Sequence, residues 1–320
     1  MSGPPAASVV VPLHDKGPHV RRALDSVLAQ TVQDFELIVV DDASTDGGGE
    51  VAAGFRDPRL RLLRRAAPGA GGHAARNAGI AAARSELVAF LDADDEWSPS
   101  FLETVLRLRR EFPRAGAYST AYEVVEPGGA RAPGRLGPVP APPWEGLLDG
   151  YFRVALDAAP VCASATAVPK SVFADVGAFP EGERRGGDVD MWLRIALSYP
   201  IAYSSAAAAT YRRDAVNRID VAGYSLERRR VIDTALAAIR EGRVAEDALA
   251  DLREYVAPFQ LHWAASNILL GDPRAARREL RACETRRFAR RKAWLTLWSF
   301  MPPALTRALW RMKNAVHGRA

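Results

Sequence analysis

Two acidic clusters stand just past apolar runs in the first third of the chain. Val40 is followed by Asp41 and Asp42, and Leu91 by Asp92, Ala93, Asp94 and Asp95. Carboxylates this close repel one another, and the arrangement is costly unless a cation is present. Oxygen-only ligands of this kind suit Mg²⁺ or Mn²⁺, with diphosphate oxygens and water completing the shell. The same acids also read as solvated turns or helix caps, with Asp95 or Ser98 capping a helix that begins at Pro99. Further on, Gly186-Gly-Asp-Val-Asp190 leads into an apolar helical stretch stopped by Pro200. Asp188 and Asp190 are placed there either to take a proton or to cap the helix. Trp192 reads as a packing residue, and Arg194 stands four residues from Asp190, the spacing of a helical ion pair.

These acids need elements to hold them. Residues 8–13, 35–40, 60–63 and 87–91 are short apolar runs that read as buried strands, and helical patterns fall at 20–28, 50–55 and 74–83. Strand and helix alternate with short connections, which predicts a mostly parallel sheet with helices on its faces. Both acidic clusters then lie at the carboxyl ends of strands, where open α/β sheets bind ligands. Residues 128–143, with five prolines, read as a surface loop, 163–169 as a strand and 190–199 as a helix. Beyond Tyr211 the pattern turns helical, with helices expected at 226–240, 244–270 and 273–285. Gly271-Asp272-Pro273 marks a helical hairpin.

Composition limits the rest. The chain has 320 residues, 48% of them hydrophobic and 25% charged. That excludes global disorder, and two cysteines exclude a disulfide scaffold. A reducing compartment is the simplest expectation for Cys162 and Cys283. The formal net charge is +5, yet residues 281–320 hold ten Lys or Arg against the single acid Glu284. The basic excess belongs to the tail, so no nucleic-acid-coating surface is expected. The first residues lack the charged and apolar regions of a signal peptide, and no apolar run reaches the roughly 20 residues that span a bilayer. A dinucleotide-binding oxidoreductase would need Gly-x-Gly-x-x-Gly after the first strand, where Pro12-Leu-His-Asp-Lys-Gly17 stands.

Five segments occur in order: Ser8-Val-Val-Val-Pro-Leu13, Ala23-Leu-Asp-Ser-Val-Leu-Ala-Gln-Thr31, Asp34-Phe-Glu-Leu-Ile-Val-Val-Asp-Asp-Ala-Ser-Thr-Asp-Gly47, Ala75-Arg-Asn-Ala-Gly79 and Phe90-Leu-Asp-Ala-Asp-Asp95. Together they resemble glycosyltransferase family 2, over roughly residues 8–213. The resemblance implies an α/β fold of the GT-A type, a Rossmann-like and mostly parallel sheet with helices on both faces, followed by a helical C-terminal region. It places the nucleotide-sugar-binding and catalytic domain at 1–215 and the helical region, with its basic amphipathic tail, at 216–320. The implied activity is inverting, metal-dependent transfer of a sugar, most simply from a UDP-sugar, to an acceptor hydroxyl. The implied enzyme is of the hexosyltransferase type and serves cell-surface polysaccharide or glycoconjugate synthesis. The acceptor would be a saccharide or lipid-linked, the place the cytoplasm or the inner face of the membrane.

The resemblance also assigns roles. Pro12, His14 and Asp15 would line the base pocket, although the family more often has Tyr-Asn where His14-Asp15 stand. Asp42 would bind uracil or ribose, and Arg76 would reach the diphosphate or ribose. Asp92 and Asp94 would bind the donor and the Mn²⁺ or Mg²⁺, with Asp94 the direct ligand, while Asp95 would orient the donor. Gly186-Gly-Asp-Val-Asp-Met-Trp-Leu-Arg194 is similar to the family's Glu-Asp-x-Asp-x-Trp-x-x-Arg segment. Gly187 replaces the glutamate, and Asp188 is the implied catalytic base. Asp214 stands near the place of a histidine in relatives, as a third metal ligand, while Arg212 or Arg213 could instead hold the diphosphate.

At the other end, Trp294, Trp298 and Phe300 follow Arg286-Arg-Phe-Ala-Arg-Arg-Lys292, and Leu305, Ala308, Leu309, Met312 and Val316 share one helical face. Bases beside aromatics suit a helix lying on an anionic membrane, and equally a helix packed back on the protein.

Overall fold

The structure, a computed structural model, describes residues 3–134, 137–215, 227–302 and 305–306. The chain divides into two compact units, Met1–Ile219 and Asp220–Ala320.

In the first unit, β1 (Ala7–Leu13) carries three consecutive valines that are fully buried. β-Branched side chains fit such a two-sided pleated core. α1 (Gly17–Leu28) has proline in its first turn and buries Val20, Ala23, Leu24 and Val27, one stripe at helical spacing. β2 (Phe35–Asp41) is buried at every position, as expected of a strand covered on both faces. There follow α2 (Gly48–Ala53), β3 (Leu60–Arg64), α3 (His73–Ala82) and β4 (Leu87–Phe90). β1 pairs in parallel with β2 on one side and β4 on the other, and β3 pairs in parallel with β2. Strand order therefore reverses at β1, and the crevice of such a sheet opens at the carboxyl ends of β1 and β4. α3 lies close over β1: a Cβ at Gly79 would stand 2.3 Å from a Val10 methyl carbon. Only glycine permits that approach.

The sheet continues through β5 (Glu96–Trp97), α4 (Phe101–Glu111), β6 (Ala117–Val125), β7 (Arg131–Pro133), β8 (Glu145–Leu147), α5 (Tyr151–Val154), β9 (Thr166–Pro169), α6 (Lys170–Val176), α7 (Gly187–Ser198) and β10 (Ile201–Arg212). Its spatial order is β3-β2-β1-β4-β9-β6-β10-β5, with β7 on β6 and β8 on β10. β9 runs antiparallel to β4 and β6, so the sheet is mixed although β1–β4 are parallel. This is the GT-A type of α/β fold expected from the sequence.

Several local expectations are corrected. The helix expected at Pro99 starts at Phe101 with Ser100 in the N-cap position, so neither Asp95 nor Ser98 caps it. Part of the 128–143 loop pairs as β7. Residues Ala163–Ala165 form a tight helical turn, and only Thr166–Pro169 is strand. β6 and β10 have no counterpart in the sequence pattern. β10 is rich in alanine, a helix former, and becomes a strand because β6, β5 and β8 supply its hydrogen bonds.

The second unit holds α8 (Arg230–Arg240), α9 (Leu249–Leu270), α10 (Pro273–Ala282) and α11 (Ala289–Trp298). α9 ends at Gly271, whose φ is +106°, and Asp272 caps α10 by accepting from Ala275 N at 2.9 Å. The expected hairpin is thus formed by a left-handed glycine and an N-cap aspartate. Its core includes Leu261, Ala264, Ile268, Leu280 and Leu295. Among the described residues no helix is long and apolar enough to cross a membrane. The helical face expected from Ala308 to Val316 lies outside the described residues.

Candidate active site at the carboxyl ends of β1 and β4

The ends of β1 and β2 are tied together, with Asp42 N donating to Leu13 O at 2.7 Å. The two acids after Val40 then diverge. Asp41 accepts from Ser44 N at 3.0 Å and shapes the turn into α2. Asp42 is buried and accepts from Arg65 and, at 3.0 Å, from Gly69 N. His14 is exposed, with its Nδ1 2.8 Å from Asp42 O, and Pro12 is half-buried beside it in sequence. Asp15, at φ +49°, accepts from Thr45 N at 2.7 Å, and this bond leads in holding its carboxyl below the usual pKa. His14, Asp15 and Asp42 therefore gather where β1 and β2 end.

The four residues after β4 are sorted more sharply. Asp92 pairs with Arg76, and Asp94 pairs with Lys16 at 2.7 Å. Asp95 is buried and accepts from Ser164 Oγ at 2.5 Å and Arg212 N at 2.8 Å. Burial first, then the charges of Asp94 and Asp92, push its pKa well above the ordinary carboxylate value. Asp95 thus joins the end of β10 to the turn before β9, beneath the open acids.

Arg76 connects this group to the second half of the unit. It sits on α3 and is almost fully buried. Burial works against its charge, but the carboxylates of Asp92 and then Asp188 outweigh that and keep its pKa above the ordinary value. Asp188 lies in the first turn of α7, entered through Gly186 at φ +76°. Among the described residues its side chain accepts no hydrogen bond and forms no ion pair. Asp190 is different: it is buried and holds Arg194 Nε at 2.9 Å, the pair expected from their spacing. Trp192 is buried, as a packing residue should be.

His73 opens α3 and is buried with neither ring nitrogen hydrogen-bonded among the described residues. Burial, reinforced by Arg76, lowers its pKa to about 4, so it is a neutral imidazole at pH 7. A Cβ at residue 187 would stand 2.5 Å from His73 Nε2. Gly187 is therefore the residue that admits this ring beside Asp188, and a glutamate there could not coexist with it in this arrangement.

A family model described as Glycosyl transferase family 2 matches residues 8–167. The chain belongs to this family. It is 40% identical over 106 residues to the uncharacterized glycosyltransferase YibD of Escherichia coli, covering 32% of this chain and 30% of that protein. It is 40% identical over 116 residues to the succinoglycan biosynthesis protein ExoO of Rhizobium meliloti, covering 35% of this chain and 30% of the relative. The chain thus spans less than a third of these relatives' own length. The S. aureus TarS 1-349 structure in complex with UDP-GlcNAc superposes with a TM-score of 0.64 at 18% identity, covering 96% of this chain and 92% of that one. That likeness is one of fold.

The metal set that the resemblance implies, Asp94, Asp92 and Asp214, consists of acids that this structure pairs with cations of the chain. Among the described residues no three His, Cys, Asp or Glu side chains form a cluster able to hold an ion. Each of the three acids has a cationic partner: Asp92 has Arg76, Asp94 has Lys16 and Asp214 has Arg212. Asp214 is exposed and paired with Arg212 Nη2 at 2.8 Å, and Arg212 also holds Glu96. Arg213 pairs with Glu126 at 2.7 Å. The remaining oxygen donors still fit a divalent ion. Mg²⁺ takes one or two carboxylates with substrate phosphates rather than a protein cage, and Asp94 with Asp92 offers that set. Asn77 ties α3 to Phe179 backbone atoms at 2.9 and 3.0 Å.

Lys16, Arg65, His73 and Ser164 escaped the sequence pattern. Gly187 was a signal for His73, since a lost side chain leaves volume for another. Ser164 had no signal, because it meets Asp95 only through the pairing of β9 with β4.

Proposed function

We propose that this family 2 chain is an inverting glycosyltransferase that moves a sugar from a nucleotide sugar to an acceptor hydroxyl. The observation that carries the proposal is Arg76. One buried guanidinium feels both Asp92, at the strand-end crevice, and Asp188, a carboxylate on α7 that accepts no hydrogen bond among the described residues. A donor-binding acid and a general base are thereby held around a common point.

Asp42 is placed to orient the nucleoside, with Pro12, His14 and Asp15 around it. A UDP donor is supported by the likeness to a fold that binds UDP-GlcNAc. Arg76 and Asp92 lie on the ribose and diphosphate side. Asp95, being buried, serves the donor indirectly by fixing Arg212 and Ser164. Asp188 takes the proton of the acceptor hydroxyl as its oxygen bonds to the anomeric carbon. The bond from that carbon to the diphosphate oxygen breaks on the opposite face, and its electron pair leaves with the nucleotide. A Mn²⁺ or Mg²⁺ ion held by Asp94 and Asp92 would offset charge on the leaving diphosphate. The acceptor is a saccharide or lipid-linked, and the succinoglycan biosynthesis relative supports a role in polysaccharide synthesis. Nucleic acid has no part in this reading.

The test is nucleotide release from a panel of nucleotide sugars with Mn²⁺, Mg²⁺ or excess EDTA. Asp188→Asn is expected to lose transfer by at least about a hundredfold while keeping UDP affinity in calorimetry, since the amide keeps the shape and cannot take the proton. Transfer retained in Asp188→Asn moves the base elsewhere, and full activity in EDTA removes the metal.

A further inference from the structure

We infer that α11 and the turn after it form a docking surface for an anionic lipid bilayer. This does not depend on the transfer reaction. On its inner side Leu295 joins the core of the second unit and Trp298 packs against it. At 100° per residue Leu297 lies about 200° away from Leu295, on the outer side. Leu297 and Phe300 are each 70% exposed, and Trp294 is 41% exposed. Large apolar side chains bunched in this way on the surface mark an interaction site.

The charge around them selects the partner. Arg286, Arg287, Arg290 and Arg291 are exposed at the amino end of the same helix. Arg290, Trp294 and Leu297 follow at i, i+4 and i+7, so base, ring and aliphatic chain share one stripe. Among the described residues Arg286, Arg290 and Arg291 form no ion pair. The nearby acids have other hydrogen-bond or ion-pair partners. Glu254 accepts from Thr285 Oγ1 and from the backbone of Arg286 and Arg287, and Glu284 holds Arg253 at 3.2 Å. Three bases that form no ion pair among the described residues, next to a Trp, a Leu and a Phe on the helix and the turn after it, match a surface that is anionic outside and apolar within. A bilayer offers both over a plane. Tryptophan settles at headgroup depth, arginine finds lipid phosphate and Leu297 enters the acyl boundary.

The experiment is co-sedimentation of the full chain with vesicles of phosphatidylcholine alone or with a third phosphatidylglycerol, at low and high salt. Binding is expected only with the anionic vesicles and should fall about tenfold or more in 0.5 M salt, as charges become screened. Arg290→Glu with Arg291→Glu, and separately Leu297→Ser with Phe300→Ser, should each abolish it. Both pairs are surface changes, and unchanged circular dichroism shows that the fold survives. Protein left in the supernatant with anionic vesicles at low salt overturns the inference. So does binding that both variants retain, which puts the lipid contact elsewhere. A concentration-dependent dimer lost in Leu297→Ser/Phe300→Ser, without vesicle binding, also overturns it and assigns the face to a second copy.

Discussion

Asp92, Asp94 and Asp95 lie within three positions of one another in sequence and differ in environment almost completely. Two are partly open and paired with Arg76 and Lys16, while the third is buried on Ser164 and a backbone N–H. His73 shows the same dependence on surroundings and permits a measurement. Its folded pKa, about 4, lies below the ordinary 6.5, so the unfolded chain takes up a proton first as the pH falls. The stabilisation is complete above pH 6.5 and is lost as the pH drops from 6.5 to 4. By linkage this amounts to on the order of 3 kcal/mol over the window and about 2 kcal/mol at pH 5. Denaturant unfolding at pH 7 and pH 5 should show this loss in the wild type and a shallower one in His73→Gln. Equal slopes in the two proteins would assign the acid sensitivity to another group.

At the scale of elements, Glu36 holds the ends of the strands opposite the crevice. It is buried in β2 and accepts from Ser8 Oγ at 2.6 Å, Arg84 N at 2.6 Å and Arg61 Nη1 at 2.9 Å. Burial opposes its charge, but these bonds prevail and its pKa is lowered. Glu36→Ala leaves Ser8 and the Arg84 amide without their acceptor and should cost about 3 kcal/mol in chemical denaturation. Glu36→Gln keeps one acceptor oxygen and should cost less. Nucleotide affinity of the folded fraction should be unchanged, because Glu36 lies at the far end of β2 from Asp42. An affinity loss parallel to the stability loss would show that the strand ends are coupled along their length. Strands such as β1, β2 and β4 were legible because covered parallel strands are unbroken apolar runs. β6 and β10 were not, since their residues are mixed and their strand character comes from partners distant in sequence.

Among the described residues one buried core runs across β1, β2, β4 and their helices, and another lies among α9, α10 and α11. Leu261→Ala removes a fully buried side chain from the second and should cost that unit about 2–5 kcal/mol. Hydrogen exchange is the appropriate readout. Amides of α9 should lose protection while those of β1 and β2 keep it. An equal loss in both would mean that the chain unfolds as one cooperative body.

From the sequence alone followed the alternation of strand and helix, the acids at strand ends, the Asp190–Arg194 pair and the helical hairpin at Gly271. All are local: they depend on periodicity, turn chemistry and i, i+4 spacing within short stretches of chain. The tertiary structure decided which acid meets which cation. It gave Asp94 and Asp214 different cationic partners, buried Asp95 under the site and set His73 against Gly187. Those outcomes depend on the order of β1, β4, β9 and β10 in the sheet and on how closely α3 and α7 approach, distances that no local pattern contains.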